Sequence, residues 1–194
     1  MHFFRMILHL LRSHRRSARD IWDTYSLPMR VHLGEIDIFM HLNNGKYLSI
    51  MDLGRLDMMV RSGAWQAMRE RGWTGVVSAE TISFRKSLKL WQRYNLETKV
   101  CGIDERTVFF EQRMVVDGEI FARAYVATRL ISDDRPLTRD DLIEAFGMPE
   151  NVPELPDWIH EWRRHNALPS TRRPAWSDWS QQRFNRDRET VDSD

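Results

Sequence analysis

Residues 46–62, KYLSIMDLGRLDMMVRS, decide the fold. They lack the polar–apolar alternation of a strand, are rich in Leu and Met, and set Lys46, Ser49, Asp52 and Arg55 at three-residue steps, which predicts an α-helix. Apart from that narrow polar strip and the Asp57–Arg61 pair, the circumference is apolar, so the helix is expected to be buried on most sides. Asp52 with Arg55 and Asp57 with Arg61 fall at i,i+3 and i,i+4, so each charge has a partner on the helix itself. Asn43-Asn44-Gly45, just upstream, reads either as a hairpin turn or as a helix start, because Asn serves both as turn former and as N-cap.

Working outward, Met29, Val31 and Leu33 alternate with Arg30, His32 and Gly34, which predicts a strand beginning at Pro28 with one buried face. A short second helix over residues 65–70 ends at Arg71-Gly72. Residues 73–84, 94–103, 107–116 and 120–131 are rich in Val, Ile, Thr, Phe and Tyr and read as strands. They are separated by KSLKLWQR, DER and VDGE, the last containing the hairpin signal Asp117-Gly118. Four strands in succession predict an antiparallel meander. The order strand, long buried helix, run of strands is that of an α+β fold, an antiparallel sheet wrapped around one central helix. A sheet with one helix to cover it leaves an edge short of partners, so a homodimer or higher homo-oligomer is expected.

The 194 residues and 42% hydrophobic content fit one domain plus short appendages, not two domains. With 29 basic against 28 acidic residues the formal charge is +1, which excludes a chain-wide polycation or polyanion. The single cysteine, Cys101, excludes an internal disulfide and a thiolate zinc site, and reads as a small buried hydrophobe. Residues 3–11, FFRMILHLL, fall short of the ~20 apolar residues of a bilayer helix, and the basic cluster follows the apolar run where a secretory signal would have it first. A cytoplasmic protein is therefore expected. Residues 1–24 read as a basic amphipathic helix or arm that either packs on its own domain or rests on an anionic membrane. Thr138 caps a short helix to Phe146, prolines 149, 153 and 156 mark a linker, and a further helix is expected over residues 157–166. The chain thus divides into an arm (1–26), a main domain (27–148), a helical extension (149–168) and a tail (169–194). The tail is expected to be disordered, with Trp176, Trp179 and Phe184 as docking points.

The chemistry concentrates between the first strand and the helix: Glu35, Asp37, His41, Asn43, Asn44 and Tyr47. Here the N–H groups of the first helical turn lack intrahelical acceptors and the macrodipole favours negative charge. A carbonyl oxygen set on those N–H groups is polarised, and a carboxylate a few residues upstream either attacks it or deprotonates a water beside it.

The string Asp37-x3-His41-x-Asn43-Asn44-x2-Tyr47, followed by Asp52 and Arg55, resembles the hotdog-fold acyl-CoA thioesterases of the 4-hydroxybenzoyl-CoA thioesterase type. The longer run MRVHLGEIDIFMHLNNGKYLSIMDLGRLD, with RKSLKLWQRY and ELPDWIHEWRRHN, is similar to the branch that includes thioesterase superfamily member 6. The resemblance spans about residues 27–166. It implies a hotdog fold, hydrolysis of an acyl-CoA to a carboxylic acid and free CoA, and a site at a dimer interface. It implies that Asp37 is the nucleophile or general base and that the Asn44 N–H polarises the thioester carbonyl. His41, Asn43 and Tyr47 then shape the pocket or brace the turn. Arg85, Lys86 and Lys89 fall where relatives meet the nucleotide end of CoA, and Asp52 and Arg55 belong to the substrate-binding set. Asp52 stands where a glutamate is often found, one methylene shorter.

Blander readings compete with each of these. Asp37 reads equally as a side-chain cap of the Asn-Gly turn, as Asp is in many loops, His41 as a hydrogen-bonded structural residue, and Tyr47, Met51, Met58 and Met59 as core. His32, Glu35, Asp37 and His41 do not make a metal site, since alternation puts His32 on another face and no helical His pair fixes geometry. No cofactor is implied: G-x-S-x-G, P-loop and G-x-G-x-x-G patterns do not occur. Phe84, Phe109 and Phe110 suggest an acyl tunnel. The rival function is a module that binds an acyl chain or lipid at a membrane without cleaving it. Nucleic acid is not expected as a partner: residues 157–188 carry seven Arg against four acids, a net of only +3.

Overall fold

Asn43 starts a helix. Its backbone is extended and its side-chain oxygen accepts the Gly45 N–H at 2.9 Å, the N-cap arrangement, which resolves the turn-or-helix alternative. The helix, α1, runs Asn44–Arg61 in the computed structural model, which describes residues 13, 16–147, 149, 154–168 and 174–177. It ends where Gly63 turns left-handed (φ 77°) into α2, Ala64–Glu70. Tyr47, Ile50, Met51, Leu53, Gly54 and Met58 are buried along α1. Both intrahelical ion pairs form, Asp52–Arg55 and Asp57–Arg61.

Five antiparallel strands wrap this helix: β1 (Tyr25–Arg30), β2 (Trp73–Phe84), β3 (Arg93–Asp104), β4 (Thr107–Val116) and β5 (Glu119–Ser132), in the order β1-β3-β4-β5-β2. Alternation puts Leu96, Thr98 and Val100 of β3 and Phe110, Gln112 and Met114 of β4 among the buried residues, and Ala122, Ala124 and Val126 of β5 are small enough to let α1 approach. The sheet comes close to the helix at Gly54, where an added Cβ would lie 2.6 Å from Thr98 Oγ1.

Two sequence expectations are corrected. The meander holds only for β3-β4-β5, because β2 pairs with β5 and not with its successor β3. The link 85–92 instead carries Leu88, fully buried, across to the start of α1, where the Leu88 carbonyl accepts the Leu42 N–H at 2.7 Å. Burial of Leu88 against Leu42 and Tyr47 outweighs pairing of neighbours along the chain. The first strand also lies upstream of the predicted one. It ends at Arg30, and residues 33–35 form a 3-10 turn fixed by the Glu35 carboxylate accepting the His32 N–H at 2.9 Å. Glu35 is thereby buried and Leu33 exposed, whereas simple alternation would put both on the face of Met29 and Val31.

The C-terminal elements are α3 (Arg139–Phe146), capped reciprocally by Thr138 and Asp141, and α4 (Asp157–Asn166). α4 lies on the outer sheet face: Ile159 is buried with Phe109 and Ala127, and Trp158 meets Tyr125 edge-on at 4.7 Å. The approaching chain needs Gly102, since a Cβ there would sit 2.6 Å from Leu155 Cγ. Phe109 therefore faces α4 while Phe110 faces the inner cluster with Met58, so the two do not line one tunnel. Trp176 is exposed, and Trp179, Phe184 and most of the tail fall outside the described residues.

Of the arm, residues 1–12 lie outside the described residues. Ser13 and Arg16 pack on the domain: the buried Asp57 carboxylate accepts from Ser13 Oγ (2.6 Å), Arg16 Nη1 (3.1 Å) and Arg61 Nη1 (3.0 Å). Tyr25 closes this end, its hydroxyl donating to the Arg19 carbonyl at 2.8 Å beneath the Arg61 guanidinium. No helix among the described residues is long and apolar enough to cross a membrane.

Candidate active site

The turn between β1 and α1 is a closed ring. Asp37 N–H donates to the His41 carbonyl at 2.8 Å, Met40 N–H donates to the Asp37 carbonyl at 3.1 Å, and residues 36 and 42 bridge antiparallel. Within it the Asp37 carboxylate is oriented: Oδ1 accepts the N–H groups of Phe39 (2.9 Å) and His41 (3.2 Å). This is the turn-capping role, but within its own loop rather than at the Asn-Gly step. Both bonds fall on one oxygen, Oδ1, so the carboxylate is fixed in direction.

Tyr47, on the first turn of α1, lies beside it. Its ring is buried edge-on to Phe84 at 4.9 Å, and its hydroxyl accepts the Leu88 N–H at 3.4 Å. Burial raises the phenol above its ordinary pKa, and the Asp37 charge adds to the rise, so Tyr47 stays protonated. Asn43 spends its side chain on Gly45 N–H, which leaves the Asn44 N–H without an intrahelical acceptor at the positive end of an 18-residue helix. His41 bridges to Lys89 through the backbone. The structure thus brings Asp37, His41, Asn43, Asn44, Tyr47 and Lys89 to one end of the sheet.

The other predicted residues are spent differently. Lys86 donates to Glu119 at 2.6 Å and Arg85 donates to the same carboxylate, and together they hold it below the usual carboxylate range. Two cations on one acid leave a single positive charge at the end of β2. Arg55 is 5% exposed and lies two turns further along α1. Its guanidinium donates to Gln112 (2.7 Å), Glu80 (3.2 Å) and Asp52, while Gln112 donates to the Met51 carbonyl and to Thr98 Oγ1 at 2.9 Å each. With those donors occupied, Arg55 joins helix to sheet, and Asp52 projects from it into solvent. A cleft of about 260 Å³ lined by Arg71, Trp73, Arg135 and Asp141 lies at the opposite end of β2 from Phe84.

A profile of the thioesterase-like superfamily matches residues 31–163, spanning this turn, α1, strands β2 to β5 and most of α4. The chain belongs to the thioesterase-like superfamily. Membership makes it a hydrolase of thioester bonds, and the sheet-wrapped helix is the hotdog fold. The chain is similar to the protein THEM6 of Xenopus laevis, 28% identical over 77% of this chain and 72% of that one. It is 32% identical to THEM6 of Danio rerio over 71% of this chain and 62% of that protein's length. Among solved structures it resembles the probable thioesterase YbaW of Escherichia coli, with a TM-score of 0.59 at 20% identity over 63% of this chain and 96% of that one.

For this thioesterase the sequence reading missed Glu80, Gln112 and Thr98. Gln112 had a signal: it is the one polar residue at an inward position of β4 among Val108, Phe110 and Met114. Glu80 had none, because its partner Arg55 lies 25 residues away on another element. Cys101 is half-buried, with burial pushing its thiol up to about 12, in keeping with an inert role.

Proposed function

We propose that the protein is an acyl-CoA thioesterase in which Asp37 and the Asn44 N–H carry the chemistry. The observation behind this is the anchoring of a single Asp37 oxygen by Phe39 and His41, in the turn that leads into the open start of α1. In one course Asp37 Oδ2 attacks the thioester carbon, the C–S bond breaks, CoA leaves as thiolate, and water hydrolyses the resulting anhydride. In the other Asp37 takes a proton from water, the hydroxide attacks, and the tetrahedral intermediate expels the thiolate, which takes up that proton. In both the developing oxyanion sits on the Asn44 N–H, a donor worth about 3–4 kcal/mol in such chemistry. Arg85, Lys86 and Lys89 suit the phosphates of CoA, with Lys89 the cation not tied to Glu119.

The site is completed by a second copy along β2, an edge strand of 12 residues with Val76, Val77 and Phe84 exposed. The opposite edge, β1, is half as long and carries Pro28, which cannot donate to a ladder. The arm contributes peripheral contact with a cytoplasmic membrane surface through the basic apolar run before Ser13. The rival, a non-catalytic acyl- or lipid-binding module, draws on the same turn: Asp37 already has a capping role without any reaction.

Asp37→Asn separates the two. The amide oxygen still accepts from Phe39 and His41, so fold and dimer persist, while thiol release from acyl-CoA esters is expected to fall about a hundred- to ten-thousand-fold. Wild-type turnover in that variant would remove Asp37 from the mechanism, and absence of thiol release from wild-type protein across short, long and aromatic esters would favour the binding module.

A further inference from the structure

The ring that orients Asp37 also thrusts three consecutive apolar side chains outward: Ile38, Phe39 and Met40 are 90%, 71% and 51% exposed. Trp91, 48% exposed, adjoins them, because Leu90 N–H donates to the Met40 carbonyl at 3.3 Å. Such runs are rare on water-facing surfaces without an interaction to serve. The backbone adds an independent sign. Among the described residues, four non-glycine residues have positive φ: Glu105 and Asp117 lie in hairpin turns, whereas the bulky pair, Met40 (φ 61°) and Trp91 (φ 64°), both fall in this patch. Large side chains are held in left-handed positions that glycine would occupy without strain, so the side chains themselves have a use.

We infer that this loop is a membrane-docking element that inserts Ile38, Phe39 and Met40 into an anionic bilayer, with Trp91 at the headgroup level. The surroundings suit that partner. Arg30 stacks over Trp91 at 5.1 Å and pairs across the strands with Arg93, and Lys89 bridges to His41, so cations rim the apolar tip. The two carboxylates nearest in the chain are turned inward, Glu35 onto His32 N–H and Asp37 onto its own loop. The N–H groups of residues 37, 39, 40, 41 and 42 all have acceptors within the protein, so the loop enters a low-dielectric layer without stripping those donors bare. Docking is independent of hydrolysis and can fail while the Asp37 reading stands.

The test is co-sedimentation of the full chain with vesicles of phosphatidylcholine and phosphatidylserine, beside vesicles of phosphatidylcholine alone. The wild type is expected to prefer the anionic vesicles and to release as salt rises. The double variant Ile38→Ser/Phe39→Ser is expected to bind at least about tenfold more weakly, and Lys89→Gln about fivefold more weakly, with unchanged thermal unfolding and oligomeric state. Wild-type binding by the double variant would assign any membrane contact to residues 1–12 and overturn the proposal. So would absence of wild-type binding, or loss of the oligomer in the double variant, which would make the patch a face between copies.

Discussion

The two ends of α1 are opposites. Toward its C-terminal half every charge is enclosed: Arg55 is held by Gln112, Glu80 and Asp52, and Asp57 by Ser13, Arg16 and Arg61. At its N-terminus the polar groups are aligned but not consumed: Asp37 is anchored by one oxygen, and Asn44 N–H opens the helix. The same residue types serve stability where their hydrogen bonds close on each other; in the proposed mechanism they serve reactivity where they stop one partner short. A buried charge must be paired or it costs several kcal/mol, whereas a catalytic group must be held and still have an oxygen or a proton to offer.

The contrast breaks most visibly at Asp57. Replacing it with Ala strands the Arg61 guanidinium and releases Ser13 and Arg16, so chemical denaturation is expected to register a loss of about 3 kcal/mol or more. Residues 16–24 should then become open to limited proteolysis while turnover per folded molecule is preserved; equal stability would mean the enclosed end is ornamental. A smaller effect is expected at Gly54. Alanine inside a helix normally gains about 1 kcal/mol over glycine, but its Cβ would meet Thr98 Oγ1 at 2.6 Å and Leu96 Cδ2 at 2.8 Å. Overpacking of about 1–3 kcal/mol therefore wins, and Gly54→Ala should lower the thermal midpoint. A rise would show that helix and sheet have room to part.

What could be read from the sequence follows how far apart the interacting groups are. α1, the Thr138 cap, α4 and the Asp117-Gly118 hairpin rest on neighbours within a few residues, and their positions were legible to within a residue or two. The partner of β2 was not, because the burial of Leu88 that carries the link 85–92 to the start of α1 involves residues over 40 positions away. β1 was displaced for a related reason: Glu35 folds back on His32, which interrupts an alternation that continues only on paper. Motif spacing put Asp37, Asn43, Asn44 and Tyr47 in one region, and the structure has them at one end of the sheet. The spending of Arg85 and Lys86 on Glu119, and of Arg55 on Gln112 and Glu80, depends on strand register that no local pattern contains.

The most direct test of which end of α1 does the chemistry is a crystal structure with a non-hydrolysable thioether analogue of acyl-CoA that keeps a ketone where the thioester carbonyl would be. The ketone oxygen is predicted within about 2.7–3.1 Å of the Asn44 nitrogen, with the carbonyl carbon facing Asp37 Oδ2. An analogue seated instead in the cleft lined by Arg71, Trp73 and Arg135, with nothing at the Asp37 turn, would contradict the account.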